Sequence, residues 1–405
     1  MQQNNVITRV DVAAFVERGC VASLRQIVLC DGAREWTGQQ ALERTRSLAA
    51  YLQETGGLEQ PVLIALGDRA ETIEAYWAAV RAGQLAVPLA CEPGGNSLAE
   101  ARELTGAKTA LVSAERFSEA RMLPGLGGLV LGAAGNLPPA WRDYEAVASA
   151  AANPADVQRG DDDACALTFA PSAGGARPTV AVRTHRAVAL TATLGSVCLG
   201  ASSHRLVVCL PLHGRALETV AVGAPMLGVP MRIVAPGDSA ALADVLISRR
   251  GDWMLANLAT AAAVAPKITG RINPSQSVVS VWSLFVSPDQ LPDAVEQADA
   301  AFKGISDVAP QFVAGTDLAG HVLGGYRHAA ANGHPWPTVD LAVRQPDGRL
   351  IHEGVAEGRL AIRSPQASMR AYQKSAAFIR DDGWLDIGAL GQLGEHGFVS
   401  KRATA

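Results

Sequence analysis

The chain has 405 residues, 48% of them hydrophobic and 18% charged, the balance of a globular protein large enough for two or three packed lobes. A formal net charge of −4 gives no reason to expect a nucleic acid or an anionic membrane as partner. No apolar run has the length of a transmembrane helix, and the opening MQQNNVITRVD is not a signal peptide, so a cytoplasmic protein is expected. The six cysteines (20, 30, 91, 165, 198 and 209) are scattered without a C-x-x-C pair, as expected of buried thiols in a reducing compartment and not of a zinc site.

In chain order, a helix near Val12–Glu17 and a strand at Gln26–Cys30 precede the turn signal Asp31-Gly32. From Thr37 to Gly56, apolar Ala41, Leu42, Ala49 and Leu52 fall near helical spacing, with Thr37 as N-cap and Gly56 as stop. Pro61–Leu66 is a continuous apolar run of the buried-strand kind. A helix over Glu71–Ala82 and a strand over Leu85–Leu89 complete a β-α-β unit, which predicts a doubly wound parallel sheet. Leu104–Ser113 reads as a helix end and a strand, and 121–160 as a Gly/Pro/Ala-rich connection.

The most informative stretch is 161–185, DDDACALTFAPSAGGARPTVAVRTH. A strand at Cys165–Phe169, a loop of small residues from Ala170 to Ala176 and a second strand from Thr179 to Val182 lead into a helix opened by Thr184-His185. Such a loop brings backbone close to a phosphate, because bulky side chains would keep the anion out. An ordinary glycine-rich turn fits the same residues, and the G-x-x-x-x-G-K-[ST] P-loop is absent from the chain. Beyond it, strands at Leu206–Leu212, Met231–Val234 and Val278–Val286 alternate with helices at Ala216–Leu227, Leu242–Arg249 and Leu255–Val264. From Gly333 the texture changes to short strands and hairpin signals.

Residues 163–185 resemble the phosphate loop of the adenylate-forming ligases: acyl- and aryl-CoA synthetases, fatty acyl-AMP ligases and peptide-synthetase adenylation domains. That family writes D-x-A-x-x-x-Y-T-S-G-T-T-G-x-P-K-G-V-x-x-T-H. Here Ala166, Ser172, Pro178, Thr184 and His185 fall on matching positions, with Asp163 one place early. Phe312–Gly320 resembles its Y-G-x-T-E-x-x-G, and Ala75–Pro88 its A-x-L-A-x-x-x-A-G-x-x-x-V-P. Asp382–Gly391 resembles D-G-W-x-x-T-G-D-L-G, and Gly397–Arg402 the G-x-x-x-x-G-R of the family's hinge.

The resemblance implies an α/β fold of two doubly wound lobes, 1–195 and 196–332, and a small β-barrel-like lobe, 333–402. It implies ATP or AMP with Mg²⁺ as cofactors. Ser172, Gly174, Gly175, Thr179 and Arg402 would face the nucleotide. Thr316 would meet the α-phosphate, Asp317 would hold Mg²⁺, and His213 and Gly315 would line the acid pocket. A histidine beside an apolar strand is also a common structural residue, and Gly-Thr-Asp is also a plain turn.

The departures point to erosion. Gly174 and Gly175 replace two threonines, Thr179 a lysine, Val313 the tyrosine that covers adenine, and Ala389 the ribose-binding aspartate. The family's C-terminal swinging domain, with its adenylation lysine, has no counterpart in the sequence. The expected function is a carboxylate-activating ligase-like core with little activity alone. Its partners would be a small carboxylic acid or acyl-adenylate, with CoA, a carrier protein or a biosynthetic partner protein as acceptor. The alternative is a non-catalytic binding or partner-interaction module. Along the expected pocket, Leu210–Met226 and Leu284–Ala319, no charged specificity residue stands out.

Overall fold

The structure is a computed structural model that describes residues 10–32, 34–90, 97–133, 135–170, 177–198, 205–248, 252–269, 271, 279–290, 293–294, 297, 311–326, 334–368, 370–372, 378–394 and 397–400. Three sheets organise them. A seven-stranded sheet runs in the order Trp141–Asp143, Gly127–Leu131, Thr109–Ser113, Pro61–Ala65, Leu85–Pro88, Ala164–Ala170, Thr179–Thr184. Its pairings are parallel except the last. All five residues of Pro61–Ala65 are buried, as an apolar run covered by helices on both faces should be.

The helix Gly38–Thr55 begins and ends at the expected residues. Thr37 and Gln40 form a reciprocal capping box, and the Gly56 N–H donates to the Leu52 carbonyl. The region 121–160 is more than a connection. It adds the strands Gly127–Leu131 and Trp141–Asp143 and the helix Tyr144–Ala148 to the first sheet. The glycines that suggest a loop allow close strand packing: Gly128 has φ +150°, and a Cβ there would lie 1.8 Å from the Ala110 carbonyl oxygen.

The second sheet has nine strands, in the order His334–Pro335, Gly320–Tyr326, Gln311–Thr316, Val279–Val286, Asp252–Asn257, Leu206–Cys209, Met231–Ile233, Ile27–Asp31, Arg34–Thr37. Its six central strands are parallel. The N-terminal hairpin therefore belongs to this sheet and not to the one formed by the residues that follow it. The helix expected at Leu255–Val264 is instead the end of the strand Asp252–Asn257 and the helix Leu258–Ile268. Asn257 sets the boundary, because its side chain accepts the Thr260 N–H at 2.8 Å as an N-cap. The helix expected from Ala216 starts at Gly214 and carries a π-helical segment, Thr219–Gly223.

The third unit is a five-stranded antiparallel sheet, Leu350–Ile351, Asp340–Arg344, Ala356–Arg363, Leu385–Gly394, Gly397–Ser400. A buried ion pair ties the units together. Arg183, fully buried on the last strand of the first sheet, meets the Glu218 carboxylate with Nε at 2.8 Å and Nη2 at 2.6 Å. Its Nη1 donates to the Gln366 carbonyl, in the connection between the third unit's strands Ala356–Arg363 and Leu385–Gly394. No helix among the described residues is long and apolar enough to cross a membrane.

Candidate functional site

In the nine-stranded sheet the chain leaves Leu206–Cys209 toward Met231–Ile233 on one side and Asp252–Asn257 on the other. A crevice opens where strand order reverses in this way, outside the carboxyl ends of the parallel strands. A cavity of about 730 Å³ lies at that place. Its wall comes from the strand ends: Leu210, Pro211 and His213, then Asn257, then Phe285 to Ser287, then Gly315 to Leu318. Ala170 of the first sheet and Asp386 to Gly388 of the third close it.

Four residues singled out in the sequence, His213, Gly315, Thr316 and Asp317, therefore come together on one wall. Thr179 pairs across the hairpin with the cavity residue Ala170. Ser172, Gly174, Gly175 and Arg402 lie outside the described residues. Thr316 and Asp317 do form a turn, with the Ala319 N–H donating to the Thr316 carbonyl at 3.1 Å. That turn also places the Asp317 carboxylate over the start of the helix Gly214–Glu218, where Oδ1 accepts the Arg215 N–H at 2.9 Å. Gly214 makes room for it: φ is +51°, and a Cβ would come within 2.2 Å of Oδ1. A carboxylate there satisfies an orphan amide and faces the positive end of the helix. Asp317→Ala is expected to lower stability by about 1 kcal/mol and Asp317→Asn by much less, read as shifts in denaturation midpoint.

Next to this wall stands a charged residue that the sequence does not single out. Arg215 is buried beneath the cavity, with its guanidinium over the Phe285 ring. Its Nη1 lies 3.3 Å from His321 Nδ1. Since an arginine only donates, Nδ1 is the accepting nitrogen and Nε2 carries the proton, 2.9 Å from Thr219 Oγ1. The Thr219 hydroxyl donates in turn to the Arg215 carbonyl at 2.7 Å. Burial, then the charges of Arg215 and Arg183, hold the His321 pKa well below that of a free imidazole. His321 is thus a neutral, doubly bonded side chain, stacked on Trp336 at 4.9 Å.

At the far edge the resemblance points to Ala389, but Ala389 is 3% exposed and packs in the core. The carboxylate beside the cavity is Asp386, held by Arg344 at 2.8 Å and Arg380 at 2.6 Å. Gly388 at φ +85° and a register shift in the pairing with Ala356–Arg363 separate the two positions. Val313 is likewise fully buried and so presents no surface to a base. His185 serves structure, since its Nδ1 accepts the Val12 N–H at 3.1 Å and anchors the first helix. Among the described residues no cluster of three His, Cys, Asp or Glu could hold a metal by itself.

The doubly wound sheet carries a cavity at its switch point, walled by a Thr-Asp turn and a strand-end histidine. The chain belongs to the AMP-binding enzyme family, whose model matches residues 15–279. It is an adenylate-forming, ligase-like core by descent and fold. The fold is shared with ATP-bound MatB from Rhodopseudomonas palustris (17% identity, TM-score 0.80, covering 97% of this chain and 78% of that one). It is shared equally with a long-chain-fatty-acid-CoA ligase from Archaeoglobus fulgidus (16%, 0.81, 98% and 84%). A third is the anthranilate CoA ligase AuaEII in complex with anthranoyl-AMP (16%, 0.79, 98% and 78%). No curated protein matches the sequence.

Proposed function

We propose that this chain is the core of an AMP-dependent acid ligase whose cavity takes a small carboxylic acid or its acyl-adenylate, and whose nucleotide site has lost most of its grip. The observation that carries the reading is the convergence of His213, Gly315, Thr316 and Asp317 on one cavity at the switch point. A relative of the same fold is known with ATP and another with anthranoyl-AMP, which supports ATP or AMP as the nucleotide.

Adenylation needs charge neutralised on the α-phosphate and the leaving pyrophosphate, and the reactants held for attack. Thr316 and Asp317 supply part of this. Asp317 Oδ1 is taken by the Arg215 N–H, which leaves Oδ2 for Mg²⁺, a cation that prefers oxygen ligands and keeps several waters. When bound, Mg²⁺ would neutralise phosphate charge. The missing contributions are the loop lysine, replaced by Thr179, and a ribose carboxylate at Ala389. Each charged hydrogen bond is worth about 1.5–3 kcal/mol, or one to two decades of rate or affinity.

The test is acid-dependent exchange of pyrophosphate into ATP. The chain alone is expected to show none. Robust exchange from a pure sample would mean that other groups have taken over, and the eroded reading would be lost. Thr179→Lys restores a cation opposite Ala170 and is expected to tighten AMP or ATP at least about tenfold in calorimetry. An unchanged dissociation constant in the folded variant would favour the second reading, a non-catalytic module that binds a partner. Buried Val313 and core-facing Ala389 are the observations on that side. CoA or a carrier protein is the proposed acceptor, and the units 1–195, 196–332 and 333–402 are the proposed division, with the hairpin at 27–37 pairing into the second unit's sheet.

A further inference from the structure

Four arginines among the described residues are nine-tenths buried or more: Arg159, Arg183, Arg215 and Arg344. Three of them meet a carboxylate. Arg159 pairs with Glu59, Arg183 with Glu218, and Arg344 with both Asp382 and Asp386. Arg215 is the exception, and it is the one that lines the cavity.

Its side chain has four polar contacts. Nη2 donates to the Val286 carbonyl at 2.7 Å; Nη1 and Nη2 each lie 3.4 Å from the Val313 carbonyl; Nη1 lies 3.3 Å from His321 Nδ1. Only the first is within the ordinary range of N–H···O bonds. The Asp317 carboxylate accepts from the Arg215 backbone N–H and makes no ion pair with the guanidinium among the described residues. A buried charge without a counter-charge is costly, and proteins neutralise it with a partner or a ligand. Burial pushes the Arg215 guanidinium down to about 10, against the pull of Asp317.

Depth separates this cation from the mouth of the cavity. The carbonyls that hold it belong to Val286, the last residue of its strand and in register with Ala314, and to Val313, three residues short of Thr316 at the end of the neighbouring strand. At strand spacing Val313 is about 10 Å below Thr316. A carboxylate that faces Thr316 and Asp317 is therefore not the group that would reach Arg215.

We propose that Arg215 is the specificity residue of this cavity and reads a second carboxylate, so that the acid taken is a short-chain dicarboxylic acid. The inference rests on the cavity's being an acid site, as argued under the proposed function. One carboxylate lies toward Thr316 and Asp317, and the other supplies the ion-pair partner that Arg215 lacks among the described residues. His321 stays neutral throughout and holds the guanidinium from behind.

The experiment is calorimetry on the full chain with matched pairs, glutarate against pentanoate and adipate against hexanoate, each with and without AMP. In the parent, one diacid is expected to bind at least about tenfold more tightly than its monoacid of equal length. Arg215→Met, shown by melting to be folded, is expected to abolish that ratio, and Arg215→Lys to keep part of it. Equal binding of diacid and monoacid by the parent overturns the proposal and needs no variant to fold. It leaves the acid site itself standing, with its one carboxylate read elsewhere. A preference that survives in Arg215→Met also overturns it. If none of the four acids binds, the cavity is not an acid site, and the proposed function falls together with this inference.

Discussion

Glu218→Leu is expected to destabilise the folded chain by about 3–5 kcal/mol. The cost comes from what is left behind. Arg183 is fully buried, and among the described residues its two bonds to Glu218 are the ones that bring it a negative charge. Without Glu218, the guanidinium keeps the Gln366 carbonyl and Thr191 Oγ1, at 3.0 Å, as neutral acceptors. The double variant Arg183→Met, Glu218→Leu removes charge and counter-charge together and is expected to recover most of the loss, since two apolar groups of similar shape replace a desolvated pair. Guanidinium denaturation of the three proteins decides it. A single-variant cost below about 1 kcal/mol would show that water reaches Arg183 in the folded state.

Acid is expected to weaken the chain steeply from about pH 6.5 downward. His321 has its folded pKa well below the ordinary value of 6.5, first because it is buried and then because Arg215 and Arg183 repel its proton. In the unfolded chain the same ring protonates near its ordinary value. Below that pH the unfolded state binds the additional proton, so stability rises with pH and is lost as pH falls toward the folded pKa. The slope from one such group is at most about 1.4 kcal/mol per pH unit. His185 is lowered in the same direction, by burial first, with Asp11 opposing. His321→Gln is expected to flatten the curve of stability against pH by close to one proton between pH 6 and pH 5. An unchanged slope would mean that His321 carries its proton in the fold.

The elements written in local chemistry were legible in the sequence. Thr37 and Gly56 mark both ends of one helix within a single stretch, and Pro61–Leu66 is apolar on both faces of its strand. The glycines at 127 and 128 were not, because the same residue type signals a loop or a close strand, and only the Ala110 carbonyl tells which. At the site, Gly315, Thr316 and Asp317 are adjacent and carry a motif. Arg215 carries none. The carbonyls and imidazole that surround it come from residues 71, 98 and 106 positions away. Ala389 replaces the family's aspartate and is buried in the core, while Asp386, which the resemblance does not single out, lines the cavity.

The pairing of Ile27–Asp31 with Met231–Ile233 bears on how the chain is made. In register, Leu29 lies opposite Met231. At translation rates of about 5–20 residues per second, the interval between these two residues is roughly 10–40 s. All seven strands of the other sheet lie between residues 61 and 184 and are synthesised within that interval. The hairpin with Val28 and Leu29 must wait without its parallel neighbour while a complete sheet assembles downstream. This long-range closure raises contact order and slows the last step of assembly. The ribosome writes this strand first, and the fold places it late.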